Sequence, residues 1–232
     1  SFLTAEHGTK RGVARSARTK FSRFAGVLQP LARARVGWME KEGRELVRVS
    51  DVQLERPARA LQDDLEGLLL GAYLAEHVTQ MVLEDEPSER WFRLLDSTLV
   101  ALEAGVPRKL ATRYFEVWAL RLSGVLPVPD VCPLCGRPLG DRASLLESEA
   151  AIVCPECAGA ERQLPLSPSD LVFLRRTGRH ALRDLAAETP TAAAGLDGAT
   201  LERVERLVGR VRRHFLQGEL KSRRVMHQTL GR

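Results

Sequence analysis

Every cysteine of the chain falls in one of two pairs, Cys132-Pro133-Leu134-Cys135 and Cys154-Pro155-Glu156-Cys157, and the spacing is C-x2-C-x18-C-x2-C. Two knuckles of this form place four thiolates at the corners of a tetrahedron, and the residues between them suffice for a loop or short hairpin that brings the knuckles together. The pattern reads as a structural zinc site held by Cys132, Cys135, Cys154 and Cys157, one ion per chain. Two disulfides or a C-x-x-C redox pair are the competing readings. Disulfides suit a secreted chain, and no signal peptide is read at the start of this one; a redox pair needs only one knuckle, with a low-pKa thiol at a helix start. Four thiolates also fill every coordination position, which argues against zinc catalysis. The histidines His7, His77, His180, His214 and His227 are scattered and form no HxH or HExxH pattern. The finger is therefore expected to fold a local segment, and function is sought elsewhere.

With 232 residues the chain has room for two domains, and no apolar run approaches the ~18 residues of a membrane span, so a cytoplasmic protein is expected. The opening Ser1-Phe2-Leu3-Thr4 reads as the end of a strand whose beginning precedes Ser1. Charge is more informative than size. Residues 1–54 carry eleven Lys or Arg against five Asp or Glu, whereas the other 178 residues balance at one negative charge. A basic end joined to a near-neutral remainder points to a polyanion-binding face.

That basic end reads as strands and turns. Glu6-His7-Gly8 is a turn signal. Ala32, Ala34, Val36 and Trp38 alternate with Arg33, Arg35 and Gly37 in the period of a half-buried strand. A charged hairpin tip around Gly43 then leads to a return strand from Leu46 to Leu54. Several short strands in so few residues suggest a small barrel or curled sheet. At Arg56-Pro57-Ala58-Arg59 the pattern becomes helical, which places a boundary after residue 57.

Helices are expected over Leu61–Leu83, from Ser88 to before Gly105, over Arg108–Leu122, from Pro168 to about Leu185, and from about Thr200. Ser167, Pro168 and Asp170 form the start signal of the fourth. The aromatic stripes, Tyr114 and Trp118 among them, read as core. The end of the chain is basic again at Lys221-Ser222-Arg223-Arg224.

Between Thr9 and Phe24 lie Lys10, Arg11, Arg15, Arg18, Lys20 and Arg23, with no acid and with Phe21 and Phe24 interleaved. Such cations neutralise phosphates, and aromatic rings offer stacking faces to unpaired bases. The plainer reading is a solvated basic hairpin whose phenylalanines are core. With Arg33 and Arg35 of the alternating strand, these six are the candidate nucleic-acid contacts.

Leu3-Thr4-Ala5-Glu6-His7-Gly8, Val13-Ala14-Arg15-Ser16-Ala17-Arg18, Ser22-Arg23-Phe24-Ala25-Gly26 and Leu28-Gln29-Pro30 resemble the N-terminal OB-fold of the bacterial RecO recombination mediator family, and Leu220-Lys221-Ser222-Arg223 resembles its C-terminal signature. The resemblance implies an α+β chain: an OB-fold β-barrel over 1–57, here lacking its first strand, then an all-α domain over 58–232 with an inserted four-cysteine zinc finger at about 130–160. It further implies binding of single- and double-stranded DNA, annealing of complementary strands, and work with RecR and single-stranded-DNA-binding protein (SSB) to load RecA in DNA repair and recombination. A nucleoid-associated location follows from those partners. No P-loop, GxSxG or paired-carboxylate constellation is found, so no enzyme is expected. The competing hypothesis is a zinc-ribbon scaffold or regulator with an incidental basic surface. A metal-dependent nuclease or deaminase would need an open metal site or clustered carboxylates.

Overall fold

The alternation that begins at Ala32 produces the longest strand pair in the computed structural model, which describes residues 1–231 apart from 16, 18, 20, 21, 23, 147–149, 161 and 162. Strands β1 (Phe2–Leu3) and β2 (Thr9–Lys10) pair with each other, while β3 (Gly12–Val13), β4 (Arg33–Met39) and β5 (Val47–Arg56) form a second sheet in the order β3-β5-β4. β4 and β5 run antiparallel, with Val36 opposite Val52, and Gly43 turns the hairpin at a φ of +74°, a value glycine adopts without steric cost. Ala34 and Val36 pack on a core of Phe24, Val49 and Val52. Register shifts follow Arg33 and Gly37, so the alternation does not run unbroken to Trp38, whose ring instead meets Phe2 and His7, each at 5.4 Å between centroids.

Among the described residues these strands do not close into one barrel. Three of the five are only two residues long, too short to carry a continuous ladder around a cylinder. Nor do they stand apart from the helices that follow. The chain divides into two compact units, Ser1–Glu103 with Leu220–Arg232, and Ala104–Glu219. Residue 57, where the pattern changes, lies inside the first.

In that first unit, helix α1 (Leu65–Met81) starts later than periodicity alone suggests, because Arg59–Leu61 form a 3-10 turn and Asp64 then caps the helix through Gly67 N at 2.7 Å. Helix α2 (Glu89–Glu103) follows a loop tied to the N-terminal strands, with Ser88 N donating to Ala5 O at 2.9 Å. Gly8 is indispensable to this junction: its φ is +61°, and a Cβ there would sit 2.2 Å from Glu86 O.

The second unit holds α3 (Arg108–Leu122), a sheet β7-β6-β8 (Ala151–Val153, Ala143–Leu146, Gln163–Leu166), the short α4 (Pro155–Ala158), and α5 (Pro168–Thr177), α6 (Leu182–Ala186) and α7 (Gly198–Leu216). The start of α5 is as expected, a capping box between Ser167 and Asp170. The single helix expected to reach Leu185 is instead broken after Thr177. Three side chains of α3 take carbonyls at and beyond that end: Trp118 Nε1 on Thr177 O at 2.8 Å, Tyr114 Oη on His180 O at 3.2 Å, and Arg121 on Leu174 O. Burial lowers the Arg121 pKa to about 10. The aromatic stripe is thus core, and it also satisfies carbonyls a helix end leaves open.

Between α3 and α7 lies a chain of buried charge. Glu116 and Arg212 are each 1 % exposed, with Arg212 Nη1 at 3.5 Å from Glu116 and Nη2 at 2.7 Å from Glu219, and Arg113 Nη1 at 2.9 Å from Glu116. The basic end of the chain forms a further helix, α8 (Lys221–Leu230), packed on α1 in the first unit. No helix among the described residues is long and apolar enough to cross a membrane.

Candidate zinc site and candidate nucleic-acid interface

The first cysteine pair sits on a tight reversal. Cys132 N donates to Arg137 O and Gly136 N to Cys132 O, both at 2.8 Å, and Gly136 makes the turn with a φ of +71°. The second pair opens α4: Cys154 is the N-cap, Pro155 takes the first helical position, and Ala158 N donates to Cys154 O at 3.0 Å. All four Sγ atoms lie within 4.8 Å of one another, and Cys135 and Cys154 stand 3.8 Å apart. A tetrahedral zinc with Zn–S bonds of about 2.3 Å requires sulfur–sulfur edges of about 3.8 Å, so the donor set fits that ion in number, chemistry and spacing.

The thiols do not titrate alike. Hydrogen bonding from Arg137, whose Nε lies 3.5 Å from Cys135 Sγ, draws that thiol down to about 6. Hydrogen bonding to the Cys135 and Cys154 sulfurs pushes Cys157 up to about 12. Arg137 also reaches Glu156 of the opposite knuckle at 4.0 Å.

The candidate nucleic-acid contacts separate into three groups. Lys10 Nζ pairs with Glu40 at 2.8 Å and with Asp85, which raise its pKa, and its side chain is only 11 % exposed. Arg11 reaches Glu84 at 2.9 Å and Glu45 at 3.4 Å. Arg33 bridges Glu55 (3.2 Å) and Asp96 (2.7 Å) and lies over the Phe92 ring, so it ties the strand pair to α2; Arg35 shares Glu55 at 3.3 Å. These four are neutralised within the chain. Arg15 is exposed and has no ion pair with a described residue. Arg18, Lys20 and Arg23 lie outside the described residues, as does Phe21. Phe24 is 3 % exposed, a core residue and not a stacking face.

Reasoning from sequence missed Glu76, half-buried on α1. Its carboxylate accepts from Lys221 N at 3.0 Å, Ser222 N at 2.7 Å and Ser222 Oγ, capping α8, whose own N-cap Leu220 has no side chain to offer. Burial raises the Glu76 pKa, but these hydrogen bonds outweigh it and hold the carboxyl below its usual range. The basic signature at the chain end is thus the start of a capped helix.

A mixed α+β chain with a closed four-cysteine cluster and a basic strand-rich end is the class these features define. The family model described as recombination protein O N terminal matches residues 1–58, and that described as recombination protein O C terminal matches residues 62–224. The chain belongs to the recombination protein O family. It is 36% identical over 197 residues to the DNA repair protein RecO of Anaeromyxobacter sp. (strain K), covering 84% of this chain and 78% of that one. It is 32% identical over 197 residues to the DNA repair protein RecO of Myxococcus xanthus (84% and 80% of the two chains) and 27% identical over 231 residues to that of Syntrophus aciditrophicus (98% and 88%).

Proposed function

We propose that this chain is a DNA-binding recombination mediator that acts in DNA repair, annealing complementary single strands and, with RecR, helping to load RecA onto SSB-coated DNA. The observation that carries the reading is the match of both family models, in order, along a chain whose excess positive charge is confined to residues 1–54. Annealing needs no catalytic residue: neutralised phosphates let two strands approach, and base pairing supplies the free energy. In this reading residues 1–57 correspond to the family's OB-fold domain and residues 58–232 to its helical domain, and the protein works in the cytoplasm at the nucleoid. Arg15, which has no ion pair with a described residue, forms with Arg18, Lys20 and Arg23 the principal contact set; Lys10, Arg11, Arg33 and Arg35 contribute less because carboxylates already hold them.

Structural zinc on Cys132, Cys135, Cys154 and Cys157 completes the proposal, its role being to fold the finger. Metal analysis should return one zinc per chain, lost when Cys154→Ser and Cys157→Ser are combined, with stability falling more than DNA affinity. Tight zinc binding by that double variant contradicts the assignment. Beside the finger, an apolar groove of about 630 Å3 lined by Val128, Val131, Ile152 and Phe215 supports protein docking by the second unit. An electrophoretic shift and a strand-annealing assay on the full chain test the DNA role, and pull-down with RecR and with the SSB tail tests the partners. Failure to bind or anneal DNA with partner binding intact would favour the scaffold reading.

A further inference from the structure

The neck of the first knuckle is held from outside the cysteine cluster. Residues 130–139 double back on themselves: Leu139 N donates to Asp130 O at 2.9 Å, and Val131 and Pro138 form an antiparallel bridge. The strands leaving this loop turn three carbonyls, those of Pro129, Leu139 and Gly140, toward α5. One guanidinium takes all three. Arg175 donates Nε to Pro129 O at 3.1 Å and Nη2 to Leu139 O at 2.5 Å and Gly140 O at 2.8 Å, with Asp130 at 3.8 Å. Four residues on, just past the end of α5, Arg179 grips both oxygens of Asp130 at 3.0 and 3.1 Å.

The second knuckle reaches the same helix by another route, since the chain passes from Cys157 through β8 directly into the capping box that starts α5. Zinc would join the knuckles and so close a ring: first knuckle, metal, second knuckle, β8, α5 and Arg175 back to the first knuckle. We propose, on the basis of the zinc reading above, that Arg175 is a positioning residue for the metal site, holding Cys132 and Cys135 where zinc needs them and coupling metal binding to the helices of the second unit. Groups that orient metal ligands without touching the metal are worth about 10–100-fold in affinity. The coupling is reciprocal, so whatever Arg175 adds to zinc binding, zinc adds to the fold around Arg175. Lysine is only a partial substitute, because an ammonium lacks the planar fork that spans three carbonyls.

The test is competition of the full chain with a chromophoric zinc chelator, paired with thermal melting of zinc-loaded and zinc-stripped protein. Arg175→Ala should weaken zinc binding about tenfold or more, and the melting difference between loaded and stripped forms should shrink. Arg175→Lys should lie between the variant and wild type, and Arg179→Ala, which leaves the three carbonyl bonds in place, should lose less than either. If Arg175→Ala fails to fold, Arg175→Lys carries the test, and wild-type zinc affinity in that variant overturns the inference. Equal melting losses in loaded and stripped Arg175→Ala, with unchanged zinc affinity, mark a merely structural side chain and overturn it too. Wild-type protein that takes up no zinc overturns the zinc reading and this inference together, whereas zinc-loaded wild type with unaffected variants overturns this inference alone.

Discussion

Glu76 illustrates what a single side chain can do out of sight of its sequence neighbours. It keeps the 3/4 spacing of an apolar stripe, yet its carboxylate caps a helix that begins 145 residues later. Loss of such a cap costs about 1 kcal/mol. Glu76→Ala is therefore expected to lower thermal stability modestly and to speed hydrogen exchange at Lys221 and Ser222. The pH dependence has a definite sign. Because the folded carboxyl titrates below its ordinary value, its contribution is complete above that value and is lost as pH falls through the folded one. Wild type should approach the stability of Glu76→Ala in acid, and a difference that persists there at full size contradicts the capping role. Phe24 is the opposite case, a residue whose basic neighbours suggest a surface role and whose burial assigns it to the core. Phe24→Ala should cost about 3–5 kcal/mol in denaturant unfolding, against almost nothing for an exposed stacking ring.

Elements were most legible where the signal is local. Ser167, Pro168 and Asp170 announce the start of α5 through side-chain chemistry within four residues, and the structure forms that box. The end of α5 was not legible, because the donors that take its carbonyls come from Trp118 and Arg121, more than fifty residues earlier in the chain. Similarly, nothing local in α7 announces that Arg212 faces inward and meets Glu116. A buried charge deprived of its partner is strongly destabilising, by about 3–5 kcal/mol. Glu116→Ala should show that loss. Replacing Arg113, Glu116 and Arg212 together by apolar residues of similar volume should recover much of it, and a triple variant less stable than the single one would contradict a balance between charge pairing and desolvation.

At the scale of the whole molecule, the four-cysteine spacing and the segregation of charge were the features most legible in sequence. Both are patterns of residue type, and neither depends on knowing which segments meet in space. The tertiary grouping was not legible. Only the fold shows α1, α2 and α8 gathered with the N-terminal strands, because Gly8, Ser88 and Glu76 make that unit through contacts distant in sequence. A cut at residue 60 would divide this unit, so partner and DNA measurements belong on the full chain. Nor does a count of cations give an interface, since Lys10, Arg11, Arg33 and Arg35 already hold carboxylates of the same chain.

The central proposal is that DNA is held by the basic segment, through Arg15, Arg18, Lys20 and Arg23. Each phosphate contact with a single strand contributes about 0.7 to the slope of log affinity against log salt. Charge reversal at Arg15, Arg18, Lys20 and Arg23 should therefore flatten the slope for a labelled oligonucleotide by about 3, with similar loss across sequences and with zinc content and fold intact. The same measurement after charge reversal at Lys221 and Arg224 supplies the comparison. An unchanged slope and undiminished annealing in the N-terminal quadruple variant would contradict the claim and leave the basic segment a solvated surface.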